Sequence, residues 1–347
     1  MIKEAIKKIL SGKHLGFSEA KEVFYEVFES KATDAQIAGF LAVLSMLGES
    51  SDEIAAAASV VREKALRVNL KENGLGIEIE GEPVLDTCGT GGSGTYKFNI
   101  STTVAFVVSS AGVKVAKHGN RAVSSNCGSA DVLEALGIKI DCEPRIMERC
   151  IKKIGIGFLF APLYHKVFKR VAPIRKELGI RTIFNLIGPL CNPAFVTHQL
   201  LGISSEKLLP LIAGALNKLN TKAAFVVYGD DLKDEITLTG KTKVVFLSKG
   251  RIRKFELTPS NFGLKKIKLK DIEVKTPADS ARVIKEVLDG KKGPPRSIVL
   301  ANASACFYIM GKVKDLKEGV EVAAYCIDSG KAKEKYLLFK DFLEKYG

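Results

Sequence analysis

Apolar residues at Ile2, Ala5, Ile6, Ile9 and Leu10 recur with the spacing of one helix face. The same pattern predicts a helix over Ser18 to Phe28, buried through Val23, Phe24, Val27 and Phe28, and a third that runs to Gly48. Thr33 with Gln36, and Ser50 with Glu53, read as capping boxes, in which a hydroxyl and a longer side chain satisfy the free backbone N–H groups of a helix start. Residues 1–72 are therefore expected to form a small helical domain. After Gly74 the pattern becomes short apolar runs separated by helical ones, with strands predicted at 83–86, 112–116, 223–228 and 297–301. Such alternation implies an α/β fold, so residues 73–347 are expected to form a large α/β domain around a central, mostly parallel sheet. The segment 171–193, a helix followed by a turn rich in Gly-Pro and Asn-Pro, is expected to return to the helical domain. A ligand site then falls in the inter-domain cleft. The third helix is apolar on most sides, a surplus that suits a dimer face.

With 347 residues and 46% hydrophobic content, the chain can bury large cores without covalent staples. Its seven cysteines are scattered, with no C-x-x-C pair and no metal-ligand spacing to histidine, as expected of a protein of the reducing cytoplasm. The start, Met1-Ile-Lys-Glu-Ala-Ile-Lys-Lys, is amphipathic and lacks the apolar core of a secretion signal. The most apolar run, Val104 to Val113, is far shorter than the roughly 20 residues that span a bilayer, so no membrane role is expected. A net charge of +14 admits a nucleic-acid partner. The charge is spread widely, however: Lys265 to Lys270 alternates like an exposed edge strand, and Lys291 to Arg296 reads as a solvated loop. Solvated surface is the preferred reading.

Candidate chemistry concentrates in Asp86-Thr-Cys-Gly-Thr-Gly-Gly-Ser-Gly94, Asn99-Ile-Ser-Thr102 and Lys117-His-Gly-Asn-Arg121. Glycines let backbone N–H groups approach an anion, Asn99 and the hydroxyls add neutral donors, and Lys97, Lys114, Lys117 and Arg121 add charge. No Asp or Glu lies between Gly94 and Asp131, so that charge is expected to be uncompensated and the ligand to be a phosphorylated small molecule. Gly89, Gly91 and Gly94 do match G-x-G-x-x-G after a predicted strand. A dinucleotide fold would also place an acidic residue about 20 positions on, where this chain reads Gly112-Val-Lys-Val-Ala-Lys-His118. The phosphate-loop pattern fails as well, for want of Gly-Lys-Ser or Gly-Lys-Thr.

Further on, Val123-Ser-Ser-Asn-Cys-Gly-Ser129 leads into a short helix, with Ser129 as predicted N-cap and Gly137 as its stop; it reads either as a phosphate-binding start or as an ordinary cap. Asp234 and Glu235 follow the predicted strand at 223–228, where adjacent carboxylates suit Mg²⁺ or belong to solvated surface. His118 and His165 read as hydrogen-bonded structural residues, and Cys88 and Cys127 as small space fillers.

Taken together, these motifs resemble the anthranilate phosphoribosyltransferase family, which shares its fold with pyrimidine nucleoside phosphorylases. The resemblance covers essentially the whole chain, through Gly89-Thr-Gly-Gly92, Asn99 to Thr102, Lys117 to Ser125, Gly128 to Gly137, Arg175 to Ala194 and Asp234-Glu235. It implies transfer of a phosphoribosyl group from 5-phosphoribosyl 1-diphosphate to anthranilate, in tryptophan biosynthesis, with Mg²⁺ as cofactor and a homodimer formed through the helical domain. By similarity the donor would be held by Gly89, Gly92, Ser93, Lys97 and the start of a helix at Asn99, Ile100, Ser101 and Thr102. The same role would extend over Lys117, His118, Gly119, Asn120, Arg121, Ala122, Val123, Ser124 and Ser125, and to Ser129. Gly89, His118, Asn120, Arg175 and Gly188 would form the anthranilate side, and Ser101, Asp234 and Glu235 would serve the metal. No covalent or acid–base residue is implied. Ser93, Asn126 and Tyr228 depart from the family's usual Asp, Lys and His. The rival readings are a pyrimidine nucleoside phosphorylase of the same fold and a non-catalytic relative that binds nucleic acid.

Overall fold

The computed structural model describes residues 1–70, 82–91, 94, 96–122 and 127–347. Four helices open the chain: α1 (Ile2–Leu10), α2 (Phe17–Phe28), α3 (Asp34–Leu47) and α4 (Ser51–Lys64). Both expected capping boxes are formed, with Thr33 Oγ1 accepting from Gln36 N–H and Ser50 Oγ from Glu53 N–H, each at 3.3 Å.

The α/β part then runs β1 (Val84–Gly89), α5 (Ile100–Ser110), β2 (Lys114–Gly119), α6 (Ser129–Ala135), α7 (Pro144–Ile154), β3 (Ile156–Phe160), α8 (Ala161–Tyr164) and α9 (Phe168–Leu178). It continues through β4 (His198–Gly202), α10 (Leu208–Lys218), β5 (Ala223–Gly229), β6 (Thr242–Ser248) and β7 (Arg251–Leu257). Four helices close it: α11 (Pro277–Leu288), α12 (Pro294–Ile309), α13 (Leu316–Asp328) and α14 (Lys331–Tyr346). The described strands make one sheet in the order β3-β2-β1-β4-β5-β6-β7, parallel from β3 to β5 and antiparallel beyond. Strand order reverses between β1 and β4, and a crevice opens at the carboxyl ends of strands where a parallel sheet switches direction in this way.

Alternate side chains of the buried strands enter two cores. On one face Leu85, Val115, Phe225 and Val227 pack with α5, α12 and α14. On the other, Leu201, Ala224, Val226 and Val245 share a core with α4, α10 and the opening helices. The return segment joins this second layer: α9 packs on α2 and α3, and the 3-10 turn Gly188–Cys191 packs on α4. Among the described residues no helix is long and apolar enough to cross a membrane.

Three expectations need correction. Residues 297–301 lie within α12, which starts at Pro294 and buries almost every later side chain. An apolar run buried all round has no period to tell strand from helix. Lys265 to Lys268 is irregular and leads into a 3-10 turn at Leu269–Ile272. The exposed edge is β7, where Arg251, Arg253 and Lys254 guard unpaired backbone. Finally, Lys291 to Arg296 is no free loop, because Lys292 and Arg296 both hold Asp328 at 2.8 Å and Arg296 is already helical.

Candidate active site

A cleft of about 780 Å³ lies between the layers, walled by the ends of β1 and β2, the start of α5, α9, the Gly188 turn and Asp234-Glu235. Of the residues named from sequence, it brings together Gly89, Lys97, Asn99, Ser101, Lys117, His118, Gly119, Asn120, Arg121, Ala122, Ser129, Arg175, Gly188, Asp234 and Glu235. Ile100 and Thr102 are buried in the first turn of α5 and do not line it. Gly92, Ser93, Val123, Ser124, Ser125 and Asn126 lie outside the described residues. Ser129 is the first residue of α6, and Gly128, one residue earlier than the position expected, is the N-cap.

Local packing explains several of these positions. Asn99 caps α5, its Oδ1 accepting from Thr102 N–H at 3.0 Å, so the helix start faces the cleft. Gly119 ends β2 against α6, where a Cβ would stand 2.1 Å from Ser129 Oγ. At the end of β4, a Cβ on Gly202 would lie 1.8 Å from Asp234 O. Only glycine lets the acidic turn rest on the sheet there.

The cations are not uncompensated, contrary to the expectation from local sequence. Lys97 Nζ is 2.5 Å from Asp234 Oδ1, and Arg121 forms a two-pronged pair with Glu134, at 2.6 and 2.7 Å, while also reaching Asp131. Lys114, at the far end of β2, pairs with Glu82. Lys117 is buried, donates to Thr87 O and to Ser101 Oγ (3.0 Å), and feels Asp86; burial nevertheless lowers its pKa. Most of these acids come from distant segments, which a local reading misses.

Asp86, at the root of the glycine turn, is fully buried. Its carboxylate accepts from Asn192 Nδ2 at 2.9 Å and His118 N–H at 3.2 Å, while burial pushes its pKa up to about 6. Burial likewise drives His118 well below its ordinary value and His165 to about 4, so both rings are neutral near pH 7. Their Nε2 atoms are 3.1 Å apart. With both rings neutral, one Nε2 donates and the other accepts. His165 Nδ1 is buried and has no hydrogen-bond partner.

The Gly188 turn is held through successive carbonyls. Gln199 Nε2 donates to Pro189 O at 2.9 Å and Arg62 Nε to Leu190 O at 2.5 Å. Arg62 and Gln199 are buried, and sequence reading missed both; Asp86 and Asn192 fell inside its motifs without a role. Above this turn Phe168 and Phe184 stack edge to face at 6.0 Å, and the Arg175 guanidinium lies 5.7 Å from the Phe184 ring centre. Burial alone lowers the Arg175 pKa, with no carboxylate offsetting it. Lys169 and Arg181 add further charge on this side.

At the opposite wall Glu235 is buried beside Asp234; burial pushes its pKa up to about 7. Two carboxylates and the Ser101 hydroxyl offer hard oxygen donors on this side of the cleft, and Asp234 already holds the Lys97 ammonium. Such a set fits Mg²⁺, which needs few protein oxygens when phosphates and water complete its shell. Among the described residues no cluster of three or more His, Cys, Asp or Glu is present, so a site built by protein alone is not offered.

Comparison with known proteins bears on the family. The helical bundle domain of a glycosyl transferase family matches residues 3–65, and that family's a/b domain matches residues 81–333. The chain is 48% identical to the anthranilate phosphoribosyltransferase of Citrifermentans bemidjiense over 337 residues, 96% of each chain. It is 49% identical to that of Clostridium kluyveri over 336 residues, 97% of this chain and 98% of the relative. The crystal structure of the Thermus thermophilus anthranilate phosphoribosyltransferase superposes with a TM-score of 0.88 at 39% identity, covering 98% of this chain and 99% of that one. The Saccharomyces cerevisiae enzyme in complex with PRPP and Mg gives 0.87 at 29% identity, covering 99% and 98%. With family models matching both parts of the chain and relatives matching nearly its whole length, this protein belongs to the anthranilate phosphoribosyltransferase family.

Proposed function

We infer that the protein transfers the phosphoribosyl group of 5-phosphoribosyl 1-diphosphate to the amino nitrogen of anthranilate, releasing diphosphate, in tryptophan biosynthesis. The observation that carries this reading is one cleft with two unlike walls. One wall is aromatic and bears the Arg175 guanidinium, suited to a flat acid; the other is built of oxygen donors and cations, suited to a diphosphate.

The donor's phosphates lie along Gly89, Asn99, Ser101, Lys117, Asn120 and Arg121, at the positive start of α5. By family resemblance, Gly92, Ser93 and residues 123–125 also serve the donor. Ser101, Asp234 and Glu235 would hold Mg²⁺, which when bound would neutralise charge on the departing diphosphate. Arg175 takes the anthranilate carboxylate in its planar fork, while Phe168 and Phe184 flank the ring and Gly188, His118 and Asn120 border the amine. An aryl amine is already nucleophilic, so the protein's work is to align nitrogen with C1 and to tolerate an oxocarbenium-like centre. The proton shed by the amine as the C–N bond forms leaves with the diphosphate or passes to water, and no acid–base side chain is assigned to it.

Two copies associate through the helical layer in the cytoplasm, a reading supported by the exposed Leu10 and Met46. Sedimentation at micromolar concentration checks it, and a monomer there would reject it. The reaction itself is tested by following anthranilate fluorescence after adding donor and Mg²⁺. Loss of signal with equimolar diphosphate is expected; a constant signal at every donor concentration would overturn the assignment.

A further inference from the structure

Asp234, read above as a ligand of the divalent ion, already has a cation against it. Lys97 Nζ sits 2.5 Å from Asp234 Oδ1 and 3.2 Å from Leu232 O, and the two side chains are only 10% and 13% exposed. The lysine is delivered by a fixed strap: Phe98 N–H bonds Ile272 O at 3.2 Å and Val274 N–H bonds Tyr96 O at 2.9 Å, on either side of a bridge between Lys97 and Glu273. Gly89, whose absent side chain leaves Asp234 Oδ2 room, closes the other side.

A protonated lysine has three N–H donors and no lone pair, so it cannot share a metal's shell. A divalent ion taking Asp234 at about 2.1 Å would stand only a few ångströms from the ammonium, and two such cations repel by several kcal/mol even at an effective dielectric near 20. We propose that Lys97 is a resident counter-cation that keeps Asp234 closed to free divalent ions until a diphosphate arrives. Oxygens of the diphosphate then accept the Lys97 N–H groups while the metal takes the vacated carboxylate. Metal and donor therefore enter together, and Lys97 sets that order. This rests on the assignment of Asp234 as a metal ligand.

The test is Mn²⁺ alone, titrated at pH 8 into the full chain without donor and followed by the electron paramagnetic resonance of free Mn²⁺. Lys97→Met should bind Mn²⁺ about tenfold or more tightly than the unmodified protein. Adding Asp234→Asn to it should abolish the gain, and Lys97→Gln should reproduce it if the Met variant does not fold. With donor present, the affinities of Lys97→Met and the unmodified protein should converge. Equal or weaker Mn²⁺ binding by folded Lys97→Met, or a gain that survives Asp234→Asn, overturns the proposal. So does a variant that loses donor affinity alone, which would make Lys97 a plain phosphate ligand. Turnover of the unmodified protein, measured in parallel, separates the outcomes: activity with unchanged Mn²⁺ binding removes only the Lys97 role, whereas absent activity removes the underlying reaction.

Discussion

Asn192 and Asp86, 106 residues apart in the chain, meet at 2.9 Å in a fully buried hydrogen bond that ties the return segment to the root of the glycine turn. The same amide donates to Ala116 O at 2.8 Å, so one side chain joins β1, β2 and the segment after the Gly188 turn. Asn192→Ala strands a buried carboxylate and a carbonyl together. A loss of about 2–4 kcal/mol is expected, read from the urea midpoint with an unchanged slope. A shift under a few tenths would mean that water replaces the amide.

Arg62 offers a second check, because it reaches the Gly188 turn from α4 without lining the cleft. Arg62→Met should raise the anthranilate KM about tenfold and leave the donor KM nearly unchanged. Arg62→Lys, which keeps a charge but loses the planar fork, should recover part of the loss. Equal effects on both substrates would point to general destabilisation.

For Arg175, truncation to Ala removes a charge-assisted contact to the acceptor's carboxylate. The expected cost is about 1.5–3 kcal/mol, or roughly 10- to 150-fold in kcat/KM for anthranilate. Unchanged kinetics would reject the assignment.

The acidic turn is checked by combining Asp234→Asn with Glu235→Gln. Half-maximal activity should then need about tenfold more Mg²⁺ or greater, because both oxygens lose charge. A magnesium curve that does not move would place the pair outside the metal site.

His165 provides a pH signature. Its folded value, near 4, lies below that of an unfolded histidine, about 6.5, so between these values the unfolded chain binds more protons. Its contribution is therefore complete above pH 6.5 and lost as pH falls toward 4. The stability difference between the unmodified protein and His165→Phe should shrink across that window, by up to about 1.4 kcal/mol per pH unit. Comparing the two proteins cancels Asp86 and Glu235, whose raised values act with the opposite sign. A constant difference from pH 7 to 4 would show that the ring protonates freely in the fold.

The opening helices were legible because their apolar spacing and capping boxes are local, and so were β1, β2 and β5, short apolar runs closed by turns. β4, only five residues long and led by His198, carried too little pattern to stand out, and residues 297–301 lost their period by being buried all round. The glycine, Asn-Ile-Ser-Thr and Lys-His-Gly-Asn-Arg motifs marked one wall of the cleft because each is continuous in sequence. Its charge balance was illegible: Asp234 is 137 positions from Lys97, and nothing near Arg62 in the chain signals the Leu190 carbonyl, 128 positions away. Long-range pairing, which only the fold creates, separates the two cases.

Gly202 lines no part of the cleft, yet the backbone of Asp234 leaves no room there for even a methyl group. When natural variants of such chains are sorted by consequence, a glycine-to-alanine change at this strand tip belongs with damage to the acidic turn. A survey that scores positions by distance to ligand would file it as harmless.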